Sequence, residues 1–87
     1  MSRQRSMEAI LASKYVSIGE LTRLTGARYS TLKFSTEEGM LPFEQAEENL
    51  TRRYLREATV ELIFQIKQMK AEGLSIPQIK DALKMMS

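Results

Sequence analysis

The fold is decided by residues 17–39, which read SIGELTRLTGARYSTLKFSTEEG. Ser17 and Glu20 have the spacing of a capping box, in which each side chain accepts a backbone N–H group at the start of a helix. Apolar residues follow at helical spacing up to Gly26, a residue type that commonly ends helices. The pattern predicts a short helix over residues 18–25.

The second half of this stretch has the pattern of another short helix, over residues 28–38, which Gly39 closes. Two short helices separated by a tight glycine turn form a helix-turn-helix unit. The residues that this spacing turns inward are Tyr29, Leu32 and either Ser35 or Thr36.

The following segment predicts a small β-hairpin, or wing. Pro42 cannot continue a helix and favours extended backbone before it, so we expect residues 40–43 to be extended. Residues 44–49 are polar and typical of a turn. Residues 50–54 then return as the second strand.

Two further helices follow the wing. Residues 56–72 have a helical pattern that Gly73 closes, and Ser75 with Gln78 forms a second capping box. The apolar face of the last helix consists of Ile76, Ile79, Ala82 and Leu83.

The order of elements predicts a mainly α fold, a winged helix-turn-helix of about four helices with a two-stranded β-hairpin wing. This domain spans residues 16–87. Residues 1–15 form an N-terminal extension, in which residues 6–13 predict a short helix.

Composition excludes several function classes. The chain has no cysteine and no histidine, which removes disulfides, thiol and imidazole catalysis, and the usual zinc and copper ligands. No apolar run approaches the roughly 18 residues of a membrane-spanning helix, and the N-terminus is too short and polar for a signal peptide. We expect a cytoplasmic protein with no enzymatic activity, no cofactor, no metal and no membrane partner.

The positions of the basic residues say more than the net charge, which is only +2. Arginine dominates the middle of the chain, and its planar fork suits phosphate oxygens and guanine edges. Any one basic residue alone is best interpreted as a solvated surface charge. Only their positions relative to the predicted helices and wing indicate a function. They are Arg23, Arg28, Lys33, Arg52, Arg53 and Arg56.

Several motifs, in this order, resemble those of the MerR family of bacterial transcription regulators. The recognition helix of that family carries Thr-Leu-Arg-Tyr, and its wing carries Asn-Gly-Tyr-Arg-Arg-Tyr. The matching segments, which lie within residues 16–84, are 18–26, Thr31-Leu32-Lys33-Phe34, 38–42, Asn49 with Arg52-Arg53-Tyr54, and 73–79.

The resemblance implies a domain that binds double-stranded DNA at the bacterial nucleoid, with its second helix in the major groove and its wing on the phosphates. The residues that it assigns to the groove are Arg28, Tyr29, Ser30 and Lys33, and those that it assigns to phosphates are Arg52, Arg53 and Tyr54. Alternatives remain open at the aromatic positions. Tyr29 and Phe34 could be core residues, and Tyr54 could pack against the third helix with only its hydroxyl outside.

The chain departs from the family in its charges. Ser35 and Thr36 stand where the family usually has an aromatic residue and an acid. The wing tip carries Glu44, Glu47 and Glu48, with Gln45 and Ala46, where basic residues are usual. Phosphate repels such a tip, so only the returning strand is expected to contact DNA.

The helix over residues 56–72 carries more apolar residues than one buried face needs. Its inward stripe is predicted to consist of Val60, Ile63, Ile66 and Met69. The additional apolar residues, Leu55, Leu62 and Phe64, are either extra core or a surface for self-association or for a partner protein.

The expected function is sequence-specific DNA binding in transcriptional regulation. Two alternatives remain open, an architectural DNA-binding protein of excision, partition or chromosome anchoring, and a protein-interaction module that has lost DNA binding. Regulators of this type normally continue into a long dimerising helix, which these 87 residues do not include. We therefore expect either the DNA-binding part of a longer regulator or a minimal member that binds cooperatively. If the chain self-associates, a homodimer would engage two half-sites.

Overall fold

The computed structural model describes residues 5–45, 47 and 51–86. Its elements in chain order are α1 (Met7–Ala12), β1 (Tyr15–Val16), α2 (Ile18–Thr25), α3 (Tyr29–Glu37), β2 (Tyr54–Leu55), α4 (Arg56–Ala71) and α5 (Ile76–Met86). The predicted mainly α, winged helix-turn-helix fold is confirmed, with five helices in the described residues. Among these residues, none of the helices combines the length and the apolarity that crossing a bilayer requires.

Both predicted capping boxes are present. The Ser17 hydroxyl accepts the Glu20 N–H at 3.2 Å, and the Ser17 N–H donates to the Glu20 carboxylate at 2.9 Å. Ser75 and Gln78 make the same reciprocal pair before α5. α2 ends at Gly26, whose φ of 74° lies in the left-handed region that favours glycine. Both ends of α2 and the start of α5 are therefore fixed by local sequence, whereas α3 begins after its N-cap residue Arg28 without a side-chain cap.

The core lies between α4 and the other elements. As predicted, Ile63, Ile66 and Met69 of α4 are buried, whereas Val60 is only half-buried. The other buried apolar residues are Ile10, Val16, Leu21, Leu32, Met40, Leu41, Tyr54 and Ile79.

The buried side of α3 differs from the prediction at its first residue. Leu32, Ser35 and Thr36 are buried, but Tyr29 is 56% exposed, so the expectation that Tyr29 faces inward is wrong. The buried side centres on Leu32, and Tyr29 lies in the first turn on the flank that faces the wing. Phe34 is also exposed, by 43%, which removes core packing as its role.

The two-stranded sheet pairs segments far apart in the chain. β1 and β2 are antiparallel, with Tyr15 opposite Leu55 and Val16 opposite Tyr54. The sequence analysis did not predict β1, because two residues are too few to show an alternating pattern. The sheet fixes the start of α4 against the N-terminal segment.

The predicted pairing of the two wing segments is present as a single bridge. Glu44 and Arg53 exchange both backbone hydrogen bonds, each 2.8 Å long. Ala46, Glu48 and Asn49 of the predicted turn, and Leu50 of the predicted second strand, lie outside the described residues. The structure therefore describes the base of the wing, around the bridge between Glu44 and Arg53.

The N-terminal segment packs on the domain. α1 forms where a helix was predicted, and its Ile10 is fully buried in the common core. Arg5 donates two hydrogen bonds to the Glu20 carboxylate, at 2.6 and 2.7 Å, and a third to Ser13. The hydrogen bonds from Arg5 hold the pKa of Glu20 below its ordinary value. This contact, the Arg5 clasp, ties the start of the chain to α2.

Candidate nucleic-acid interface

The exposed face of α3 carries the residues that the family resemblance assigned to the major groove. Because Leu32, Ser35 and Thr36 face the core, the opposite side of the helix faces solvent. Arg28 precedes the helix as its N-cap residue, in extended backbone. The exposed residues of α3 and its N-cap are Arg28, Tyr29, Ser30, Lys33, Phe34 and the acidic Glu37 at the end of the helix. The structure therefore brings all four predicted groove residues to one exposed surface.

A concave surface of about 350 Å³, the α3–wing concavity, lies between α3 and the base of the wing. Side chains of α3 and of both wing segments contribute polar atoms to this lining. The complete lining is Ile18, Tyr29, Lys33, Gln45, Thr51, Arg52 and Tyr54. A cation from the helix and a cation from the wing thus border the same surface, which is an arrangement suited to a polyanion.

Arg52 is positioned by a chain of aromatic contacts that begins in α3. Its guanidinium carbon lies 4.7 Å from the centre of the Phe43 ring, a cation–π geometry. The Phe43 ring packs against Tyr54 at a centroid distance of 6.1 Å. The hydroxyls of Tyr54 and Thr36 are 2.9 Å apart, and Thr36 donates its proton to the Leu32 carbonyl, so Tyr54 is the donor. The wing arginine is therefore linked to α3 through side chains.

Arg53 lies on the other face of the same strand. Its guanidinium carbon is 4.8 Å from the centre of the Tyr15 ring, and it lines a separate cleft of about 130 Å³ with Tyr15 and Leu55. Successive side chains of an extended strand point to opposite faces, which explains the separation. Arg52 and Arg53 thus lie over different rings and line different surfaces, although the family motif assigned both to phosphates.

Tyr54 has no accessible surface. Its hydroxyl is engaged with Thr36 inside the protein. The predicted contact between Tyr54 and phosphate is therefore wrong, because a fully buried side chain does not reach DNA. The alternative of packing is correct, and the hydroxyl is buried as well.

The acidic residues at the wing base lie partly away from α3. Glu44 accepts a hydrogen bond from the Tyr15 hydroxyl at 3.3 Å and lines the same cleft as Arg53. Its neighbour Gln45 lines the α3–wing concavity instead. Sequence reasoning missed Gln45, Thr51 and Phe43 as parts of this interface. The alternation of side chains in an extended segment was the signal that could have placed Tyr54 on the same side as Arg52, whereas it gives no indication that the adjacent Thr51 lines the concavity too.

The suggested apolar surface of α4 is only partly exposed. Leu62 packs against the core, whereas Leu55 and Phe64 are 42% and 50% exposed. Phe64 lines an open groove on α4 together with Val60 and Met69. Leu62 is thus core, and self-association through the remaining residues stays a prediction.

Comparisons with known proteins identify the family. Residues 16–86 match the sequence model of a family described as MerR HTH family regulatory protein. Searches of curated proteins and of solved structures found no match. The family match covers the helix-turn-helix, the wing and both following helices. The chain belongs to the MerR family of helix-turn-helix, DNA-binding transcription regulators.

Proposed function

We propose that this chain binds duplex DNA in a sequence-specific manner, with α3 in the major groove and Arg52 on a phosphate beside it. Arg28, Tyr29, Ser30 and Lys33 contact base edges or the adjacent backbone. Arg53 contributes less than Arg52, since it lies on the opposite face of the strand. A regulator of this kind acts on the chromosome, so we place it at the bacterial nucleoid.

The observation that carries this proposal is the shared lining of the α3–wing concavity. Tyr29 and Lys33 come from the helix and Arg52 comes from the wing, and all three border one surface. Recognition helices read base edges in the groove, while phosphate contacts fix the position of the protein on the duplex. One rigid unit that offers both kinds of side chain supports simultaneous contact with a groove and its flanking phosphate.

The test is a fluorescence-anisotropy titration of mixed-sequence duplex DNA at several salt concentrations. Each neutralised phosphate contributes about −0.9 to the slope of log affinity against log salt. If only three side chains contact phosphates, namely Arg28, Lys33 and Arg52, the expected slope is about −3. Lys33→Ala is expected to reduce the steepness by about one unit. Lys70→Ala removes the same charge from an exposed position on α4 and serves as the matched control.

The outcomes separate the alternatives. If Lys33→Ala and Lys70→Ala lower the salt dependence of DNA affinity equally, binding depends only on the overall charge of the protein. That result would contradict the proposed interface. A folded protein with no affinity at low salt would favour the protein-interaction module. Footprinting on longer DNA distinguishes one protected operator, which we expect, from cooperative spreading over arrayed sites, which an architectural protein produces.

A further inference from the structure

Phe34 presents a large apolar side chain on the exposed face of α3. Its side chain is 43% exposed, and Ser30, one helical turn earlier, is exposed beside it. Among the described residues, neither a second aromatic ring nor a cation packs on the Phe34 ring. Lys33, the adjacent residue, borders the α3–wing concavity. Phe34 therefore lies on the surface that enters the groove if the proposed function is correct.

The chemistry of the major groove limits what such a ring can contact. Base edges present hydrogen-bond donors and acceptors there, and a phenyl ring can satisfy neither. The one apolar group on the groove edges is the 5-methyl group of thymine. A ring held against polar base edges would strip them of water without replacing their hydrogen bonds, at a cost in free energy. The same ring against a thymine methyl buries apolar surface from both sides.

We propose that Phe34 is a specificity-determining residue that contacts the 5-methyl group of a thymine in the bound site. This inference rests on the proposed function and adds the identity of a base. The preference it creates is for thymine over cytosine and over uracil at that position. Burial of one methyl group contributes about fourfold in affinity for each contacted thymine.

The test uses a duplex selected from a random pool by the wild-type protein. Thymines of the selected site are replaced one at a time by deoxyuridine, which lacks only the methyl group and keeps the base pairing. Anisotropy should show a loss of about fourfold at one or two positions for the wild type. With Phe34→Ala, affinity for the thymine duplex should fall, and the difference between thymine and deoxyuridine should vanish.

Phe64→Ala is the matched control, because Phe64 is also a phenylalanine on a helix surface and is 50% exposed. It should keep the full response to the methyl group. The inference is overturned if the wild type binds both duplexes equally, or if Phe34→Ala retains the preference. In that case Lys33-dependent, salt-sensitive binding still stands, and the proposed function survives. Absence of any Lys33-dependent binding would instead remove the proposed function and this inference with it.

Discussion

Residues 52–55, the wing segment that ends in β2, have two faces that are built from neighbouring residues but have different surroundings. Arg52 and Tyr54 face α3, where the arginine borders the α3–wing concavity and the tyrosine is bonded to Thr36. Arg53 and Leu55 face the N-terminal segment, where the arginine lies over Tyr15. The first face is part of the candidate interface, and the second is part of the contact between the wing and β1.

The difference teaches that two adjacent arginines in a family motif need not act together. Both guanidinium groups rest on an aromatic ring, at 4.7 and 4.8 Å, so the local contact does not distinguish them. The distinction comes from the surface that each arginine lines. Arg52 has the exposed helix α3 next to it, whereas Arg53 has Glu44 in its cleft. We therefore expect unequal roles in DNA binding.

The largest expected effect concerns the two arginines themselves. Arg52→Ala should lower affinity for duplex DNA about tenfold at moderate salt, because it removes a charge-assisted contact with phosphate. Arg53→Ala should change affinity by less than about twofold, as expected for a charge at a distance. Anisotropy titrations on one duplex compare the two. Equal losses of DNA affinity in the two variants would show that both faces contact DNA, and the proposed difference between Arg52 and Arg53 would be wrong.

The next effect concerns the hydroxyls on either side of the strand. Tyr54→Phe should lower the free energy of unfolding by about 1 kcal/mol, because its buried hydrogen bond with Thr36 is lost. Tyr15→Phe removes an exposed hydrogen bond to Glu44 and should cost less than about 0.5 kcal/mol. Urea denaturation measures both. A larger loss of unfolding free energy in Tyr15→Phe than in Tyr54→Phe would show that the Arg53 face contributes more to stability than the α3 face.

A smaller effect concerns the rings beneath the arginines. Phe43→Leu should weaken DNA binding about threefold, because Arg52 loses a cation–π contact that holds it beside α3. Tyr15→Leu removes the ring beneath Arg53 and should leave DNA affinity within error, although it alters stability. The affinities are compared at a temperature where circular dichroism shows both variants folded. A matching loss in Tyr15→Leu would argue for an active role of Arg53.

The smallest effect tests the Arg5 clasp, which supports the Arg53 side through the N-terminal segment. The pKa of Glu20 is lowered in the folded protein, mainly by hydrogen bonds from Arg5. Its contribution to stability is therefore present above the unfolded pKa, near 4.5, and is lost as pH falls from there through the folded value. Glu20→Gln keeps a capping side chain but removes the charge.

Thermal melts from pH 7 to pH 3 provide the measurement. The melting temperature of Glu20→Gln should lie below that of the wild type at pH 7, and the two should converge at the acidic end. DNA affinity at pH 7 should be unchanged. A constant gap between the two curves across this range would show that the Glu20 charge does not stabilise the fold.

Helices and their ends could be predicted from the sequence because their determinants are local. α2 spans the predicted residues 18–25, since Ser17, Glu20 and Gly26 act within a few positions of each other. The exposure of Tyr29 agrees with the family resemblance, which assigned this residue to the groove, and not with helical spacing, which turned it inward. The burial of Tyr54 depends on Thr36, a residue of another element, and no local pattern indicates it.

The candidate site was predicted in composition but not in arrangement. Arg28, Ser30 and Lys33 are exposed as expected, because α3 turns Leu32 inward. The separation of Arg52 from Arg53 follows from strand alternation, which the sequence analysis had the means to apply and did not. The cation–π contact between Arg52 and Phe43 joins residues from the two wing segments, and no pattern within either segment indicates this contact.

The contact between the N-terminal segment and the start of α4 also bears on how the chain folds. The Arg56 side chain donates to the Ser13 carbonyl, 43 positions away, so this junction closes a loop that contains the helix-turn-helix and the wing. Because helix contacts within the loop are local, we expect them to form first and the junction to form late in folding. The free-energy cost of closing a flexible loop, which is entropic, rises by only about 0.6 kcal/mol when the loop doubles in length. Insertions inside the enclosed segment should therefore slow folding little and leave room for evolutionary variation in length.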